Sequence, residues 1–166
     1  MELITNNPAE EEKIIQAVQK ILEKNTLLTL ATMKDLCPYV NTAYYVADDA
    51  WNLYIWTGKK SRHCKNMRKN AHVAVNVFDS KQKWGSLLQG LQMSGKARVV
   101  NTKELVHAGI QYMERFPRVV TMVESPKKFH AKVFESVMYK IQITKIKVFD
   151  ERTFGKEEWR EVEIKR

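Results

Sequence analysis

A chain of 166 residues, 44% apolar and 28% charged, has the size and balance of one globular domain with a substantial core. Six Gly and four Pro exclude a collagen-like or low-complexity chain, and no apolar run approaches the roughly 20 residues of a membrane span. Lys and Arg outnumber Asp and Glu by 28 to 19, and the resulting net charge of +9 turns attention to anionic partners.

The first twelve residues, MELITNNPAEEE, are acidic where a secretory signal is basic and then apolar, which predicts a cytoplasmic protein. Asn7 as cap, Pro8 in the first turn and Glu10 to Glu12 at the positive end of the helix dipole predict a helix start. Ile14, Val18, Ile21 and Leu22 continue it as an apolar stripe to about Lys24. The pattern then changes. Residues 26–32, 39–46, 52–56 and 72–78 are short runs rich in Val, Thr and aromatics, each bounded by turn residues such as Lys34-Asp35, Asp48-Asp49 and Asp79-Ser80. This is the punctuation of antiparallel strands.

Residues 61–69 lie between two such runs and predict a short helix. Residues 87–100 continue the strand style, with Gly90 and Gly95 marking a bulge, a barrel corner or a close approach to the backbone. A longer helix is expected over 102–116, with Thr102 as cap and Leu105, Ile110 and Met113 among its core residues. Alternation of Val137, Tyr139, Ile141, Ile143, Ile146 and Val148 predicts a late strand or strand pair over 134–149. The chain therefore reads as α+β, mainly β. An N-terminal helix (1–25), a barrel with inserted helices (26–149) and a C-terminal tail (150–166) make one domain. Closing the antiparallel sheet into a small barrel removes its exposed edges.

Side-chain chemistry is sparsely signalled. There is no GxGxxG, GxxxxGK[ST] or GxSxG motif, and His63, His72, His107 and His130 lack HxxxH spacing, which leaves no metal site to propose. Cys37 and Cys64 are too few for a disulfide scaffold and read as free thiols. Any chemistry belongs more naturally to a bound cofactor than to a catalytic side chain, and no catalytic residue is singled out.

The charge excess is concentrated. Residues 57–69, TGKKSRHCKNMRK, carry six bases and no acid, whereas residues 1–25 carry five acids and three bases. A compact cluster suits a phosphate better than a duplex, although a solvated helix face would look the same by charge alone. Within it, Ser61 stands at a helix N-cap, where unsatisfied amides can bind an anion. Arg62 can add a forked pair to phosphate oxygens, and Thr57, Ser61 and His63 can donate as well. Trp56, at the end of the preceding strand, fits either a flat ring or the core. Read as stacking surfaces, Tyr44, Tyr45 and Trp56 would instead serve nucleic acid, the less favoured alternative.

Trp56-Thr57 followed after five residues by Ser61-Arg62-His63 resembles the motif of the pyridoxamine 5′-phosphate oxidase-like family of FMN-binding split barrels, in a poorly characterised bacterial branch. The resemblance runs from about Leu27 to Val100 and more loosely beyond. It implies an antiparallel split β-barrel with peripheral helices and FMN as cofactor, with deazaflavin or haem as other flat ligands of related barrels. It also implies a homodimer with cofactor at the subunit interface. The implied cofactor-binding residues are Ile55, Trp56 and Thr57 at the ring or ribityl chain, and Ser61, Arg62 and His63 at the phosphate. Asn41, Thr42 and Ala43 would edge the ring, and Gln89 would approach from the strand ending Gly95-Lys96-Ala97. The implied activity is that of an oxidoreductase acting on a small-molecule redox substrate. Non-catalytic flavin binding for storage, sensing or electron relay is the alternative. Two differences stand out: His63 replaces the family's phosphate-binding Lys, and the ending EEWREVEIKR lacks the Arg-Leu-x-Pro-like terminus that holds vitamin B6 phosphate. Trp159 and Arg160 in that tail are candidates to reach a partner's cofactor or to form an interface pair.

Overall fold

The structure, a computed structural model, describes residues 2–5, 8–118 and 135–165. In chain order it comprises β1 (Glu2–Thr5), a 3-10 turn (Pro8–Glu10), α1 (Glu11–Lys24), β2 (Leu27–Lys34), β3 (Cys37–Ala47), β4 (Leu53–Gly58), α2 (Arg62–Lys69) and β5 (His72–Phe78). Then come β6 (Gln89–Val99), α3 (Thr102–Arg115), β7 (Ser136–Asp150), α4 (Glu151–Phe154) and β8 (Trp159–Lys165). Asn7, His130 and Phe134, which the sequence pattern used, lie outside the described residues.

All eight strands join one antiparallel sheet in the order β1-β8-β7-β4-β3-β2-β5-β6, and β6 also pairs with β7. That extra pairing closes six strands into a barrel, with β8 and β1 extending from β7 as a flap. Long β7 makes closure possible. Its first half lies between β4 and β6, and its second half lies between β6 and β8. The register shift at Ser94/Gly95 marks the corner. A Cβ at Gly95 would collide with the Gln142 carbonyl, so only glycine lets the two strands approach there.

Alternation fills the interior. Leu28 and Leu30, Val73, Val75 and Val77, Leu91 and Met93, and Ile141, Ile143, Ile146 and Val148 all point inward. Helix α1 adds Ile14, Val18, Ile21 and Leu22 to this core, and α2 adds Cys64 and Met67. A second, smaller cluster lies under α3, where Ala108 and Tyr112 pack on Val46, Tyr54 and Met138.

Several expectations are corrected. The cap of α3 is Asn101, not Thr102: its side chain accepts from Glu104 N at 3.0 Å while the Glu104 carboxylate accepts from Asn101 N at 3.1 Å, a capping box. Leu105, Ile110 and Met113 are half-exposed, because α3 buries its Ala108–Tyr112 side instead. The supposed tail contains β8, whose Val162 and Ile164 reach the core while Glu161 and Glu163 face out, and β1 pairs with it. Of the two forms expected for the late segment, the structure has the single long strand, Ser136–Asp150. Cys37 and Cys64 are free thiols, one exposed and one buried.

Candidate functional site

Strand β4 ends at Gly58, and three residues later Ser61 begins α2 with an extended backbone and a hydroxyl that accepts from Cys64 N at 3.4 Å. The turn is pinned from both sides. Lys59 N donates to Glu135 O at 2.8 Å, and Arg68 Nη1 and Nη2 reach Lys59 O at 3.3 and 3.4 Å. The N-terminus of α2, where the first amides lack partners within the helix, is thereby fixed beside the end of β4.

Three of the expected residues meet here. Nε2 of His63 lies 2.6 Å from Thr57 Oγ1 and 3.0 Å from Ser61 Oγ, so two hydroxyls converge on one ring nitrogen. His63 is buried, and desolvation pushes its pKa below the ordinary value of 6.5. The ring is neutral at pH 7 and contributes no positive charge. The positive charge comes instead from Lys59, Lys60, Arg62 and Lys65, all exposed around the same helix start. Arg62 lies across β3, its guanidinium 4.7 Å from the Tyr39 ring centroid and its Nη2 3.3 Å from Cys37 Sγ.

The neighbouring strand contributes Asn41 and Ala43, which alternation places on the face of β3 that carries Tyr45 into the core. Both polar atoms of Asn41 are buried without a partner among the described residues. A buried amide with neither donor nor acceptor satisfied is costly, and a ligand edge would relieve it. Thr42 points the other way and is exposed.

The remaining expected residues stand apart. Ile55 is fully buried in the barrel core, so only its backbone is available to a ligand. Trp56 faces the opposite side of β4 from Thr57: its Nε1 donates to Ser136 Oγ at 2.7 Å, and its ring meets Tyr112 edge-on at 6.3 Å. Gln89 is buried and donates to Asp150 Oδ1 at 2.7 Å, while its backbone exchanges two hydrogen bonds with the Gln82 side chain. Arg160 pairs with Glu10 and Glu158, and Trp159 packs beside Phe149 under Lys147. Spacing gave no hint of Tyr112 or Ser136, which fix the end of β4 from positions 56 and 80 residues downstream of Trp56. Among the described residues no group of His, Cys, Asp and Glu is placed to hold a metal ion, and no helix is long and apolar enough to cross a membrane.

Comparison with known proteins agrees with this architecture. The pyridoxamine 5′-phosphate oxidase family matches residues 14–149, most of the chain, and the protein belongs to that family. A UPF0306 protein of Pasteurella multocida is 25% identical over 150 residues, 89% of this chain and 92% of the relative. The heme storage protein HutZ of Vibrio cholerae superposes with a TM-score of 0.62 at 16% identity, covering 80% of this chain and 89% of that one. A FAD-binding protein of Mesorhizobium loti superposes at 0.60 with 20% identity, over 99% of this chain and all of that one. At such identities the structures share the split-barrel fold.

Proposed function

We propose that the protein binds FMN where β4 ends and α2 begins, and that it acts as an oxidoreductase on a small-molecule substrate. The observation that carries this reading is the convergence of Thr57, Ser61 and His63 at a helix N-terminus, with the unpartnered Asn41 amide on the neighbouring strand. These residues suit the cofactor chemically. Ser61, Thr57 and the first amides of α2 offer donors to a phosphate, and Arg62 is exposed and able to form a forked pair with it. Asn41 offers both an amide NH₂ donor and a carbonyl acceptor, the combination that the polar edge of a flavin ring requires. Bound there, the flavin would supply hydride or electron transfer. The chain's own part is to bind and orient: the neutral His63 ring holds the two hydroxyls in place, and the buried face of β3 keeps water from Asn41.

A flat ligand in barrels of this shape is supported by two structural neighbours, a FAD-binding protein and a heme storage protein. A flavin is favoured here over haem. His63 already has Nε2 engaged by two hydroxyls, and His72 and His107 are exposed, so the described histidines offer no ready axial ligand. The reading includes a homodimer in the cytoplasm. In its support, half-exposed Leu27, Tyr44, Leu105, Ile110 and Met113 give the β2–β3–α3 side an apolar surface that a second copy would cover.

The test is a visible absorption spectrum of the purified protein before and after incubation with FMN and desalting. Flavin absorbance retained at about one cofactor per chain supports the reading. A chain that retains none, or that takes up haem in preference, overturns it.

A further inference from the structure

The ladder between β3 and β4 stops early. Tyr45 pairs with Ile55, yet one step on Tyr44 and Trp56 stand opposite each other without pairing. Neither strand is frayed there. β3 remains paired with β2 as far as Cys37, and β4 with β7 as far as Gly58, so the opening is confined to the seam between them. Into that seam projects the hydroxyl of Tyr112. It accepts from Trp56 N at 3.2 Å and donates to Tyr44 O at 2.6 Å, with Tyr54 O at 3.2 Å on the same side. One phenolic oxygen thus bridges Trp56 N and Tyr44 O at the point where the β3–β4 ladder ends.

The phenol is driven from a fixed base. Tyr112 is buried, its ring packs against Trp56 and Phe116, and burial pushes its pKa up, so the proton stays on the oxygen. Its helix is tied down at both ends. The capping box holds the start of α3, and near the other end Arg115 Nη2 sits among the carbonyl oxygens of Leu22, Glu23 and Asn25, at 2.7, 3.1 and 2.6 Å. The end of the ladder lies close to Thr57 on β4, with Asn41 further along β3.

We propose that Tyr112 is a positioning residue whose hydroxyl keeps the β3–β4 seam open and thereby sets the width of the site between Asn41 and Thr57. That the opening serves a cofactor rests on the flavin reading above; that Tyr112 holds it open does not. Without the hydroxyl, Trp56 N and Tyr44 O lose the partner they share, and a closer approach of the two strands would replace it.

The test compares the full-length protein with Tyr112→Phe by NMR and by FMN titration. In the wild type a slowly exchanging Tyr112 hydroxyl proton should show contacts to the Trp56 amide. In Tyr112→Phe, cross-strand contacts between Tyr44 and Trp56 should appear, FMN should bind roughly tenfold more weakly, and the visible band of whatever flavin is bound should shift. Tyr44 and Trp56 remaining unpaired in the variant, or an unchanged FMN affinity, overturns the proposal. If the variant does not fold, the wild-type spectrum decides: a Tyr112 hydroxyl in rapid exchange with water overturns it. If the wild type binds no FMN, the flavin reading and the role in cofactor binding fall together, while the NMR comparison still decides whether Tyr112 holds the seam.

Discussion

His63 reaches back to Thr57, its Nε2 2.6 Å from the threonine hydroxyl, so that a single buried ring ties the first turn of α2 to the end of β4. The buried ring is uncharged, and under the proposed function two tasks separate: His63 would hold the hydroxyls, and the surrounding Lys and Arg side chains would attract the anion.

The pH dependence of stability follows from that burial. In the unfolded chain the ring titrates near 6.5, and in the fold desolvation holds it lower, so the unfolded chain takes up the proton first as pH falls. The contribution is fully present above about 6.5 and is lost as pH drops through the folded value. His63→Gln should flatten this part of the profile. Urea unfolding of both proteins at pH 7.5 and 5.5 checks it, and equal losses in the two would remove His63 as the cause.

Arg62 is exposed and contacts only Tyr39 and Cys37 among the partners described above, so its loss should spare the fold. Arg62→Ala is expected to weaken FMN binding by about 1.5–3 kcal/mol, the usual range for a hydrogen bond to a charged group. Calorimetric titration alongside a melting curve separates the two effects. An unchanged affinity means that the phosphate lies elsewhere.

Gln89 should behave in the opposite way. Its side chain is committed to the buried Asp150 carboxylate, which also accepts from Thr153 Oγ1 at 2.8 Å. Gln89→Leu leaves that carboxylate short of a donor and should cost roughly 1–3 kcal/mol of stability with FMN affinity unaltered. A variant that melts normally but binds FMN poorly would put Gln89 at the cofactor after all.

The β2–β3 hairpin offers a stabilising change. Asp35 and Leu36 both have positive φ, 51° and 59°, in a two-residue turn, and Leu36 is 88% exposed. A leucine gains nothing there and bears the cost of a left-handed backbone. Leu36→Gly should therefore stabilise the protein by about 1 kcal/mol. A thermal melt that does not rise would show the turn to be relaxed in solution.

How far the sequence reached depended on what each signal encodes. Val73, Val75 and Val77 alternate without interruption, and β5 is found over the residues expected of it. Val162 and Ile164 alternate just as well, but between Glu161, Glu163 and Lys165 the signal is only two apolar residues long, too short to separate from a charged tail. Asn101 and Thr102 are both cap residues, and Glu104 decides between them because its spacing completes a box with Asn101 alone. In α3, apolar residues occupy more than one side, and periodicity cannot say which side the sheet will take. The Ser61 cap was legible because it sits at the junction of a strand end and a helix start, but the meeting of Thr57 and Ser61 on His63 was not, since each of them reads in sequence only as a donor to an anion. Sequence distance hid Tyr112, since the seam it enters does not exist until β3 and β4 are folded.

The threefold partnership of β7, with β4, β6 and β8, also governs the order in which the molecule can be assembled. The five strands β4, β3, β2, β5 and β6 are all encoded before residue 100, and without β7 they form an open sheet with two bare edges. A nascent chain must carry those edges until residues 136–150 emerge, and such edges invite pairing with other chains. Barrel closure is thus a late event in synthesis. The interval before it is when the protein is most exposed to aggregation and most in need of a chaperone.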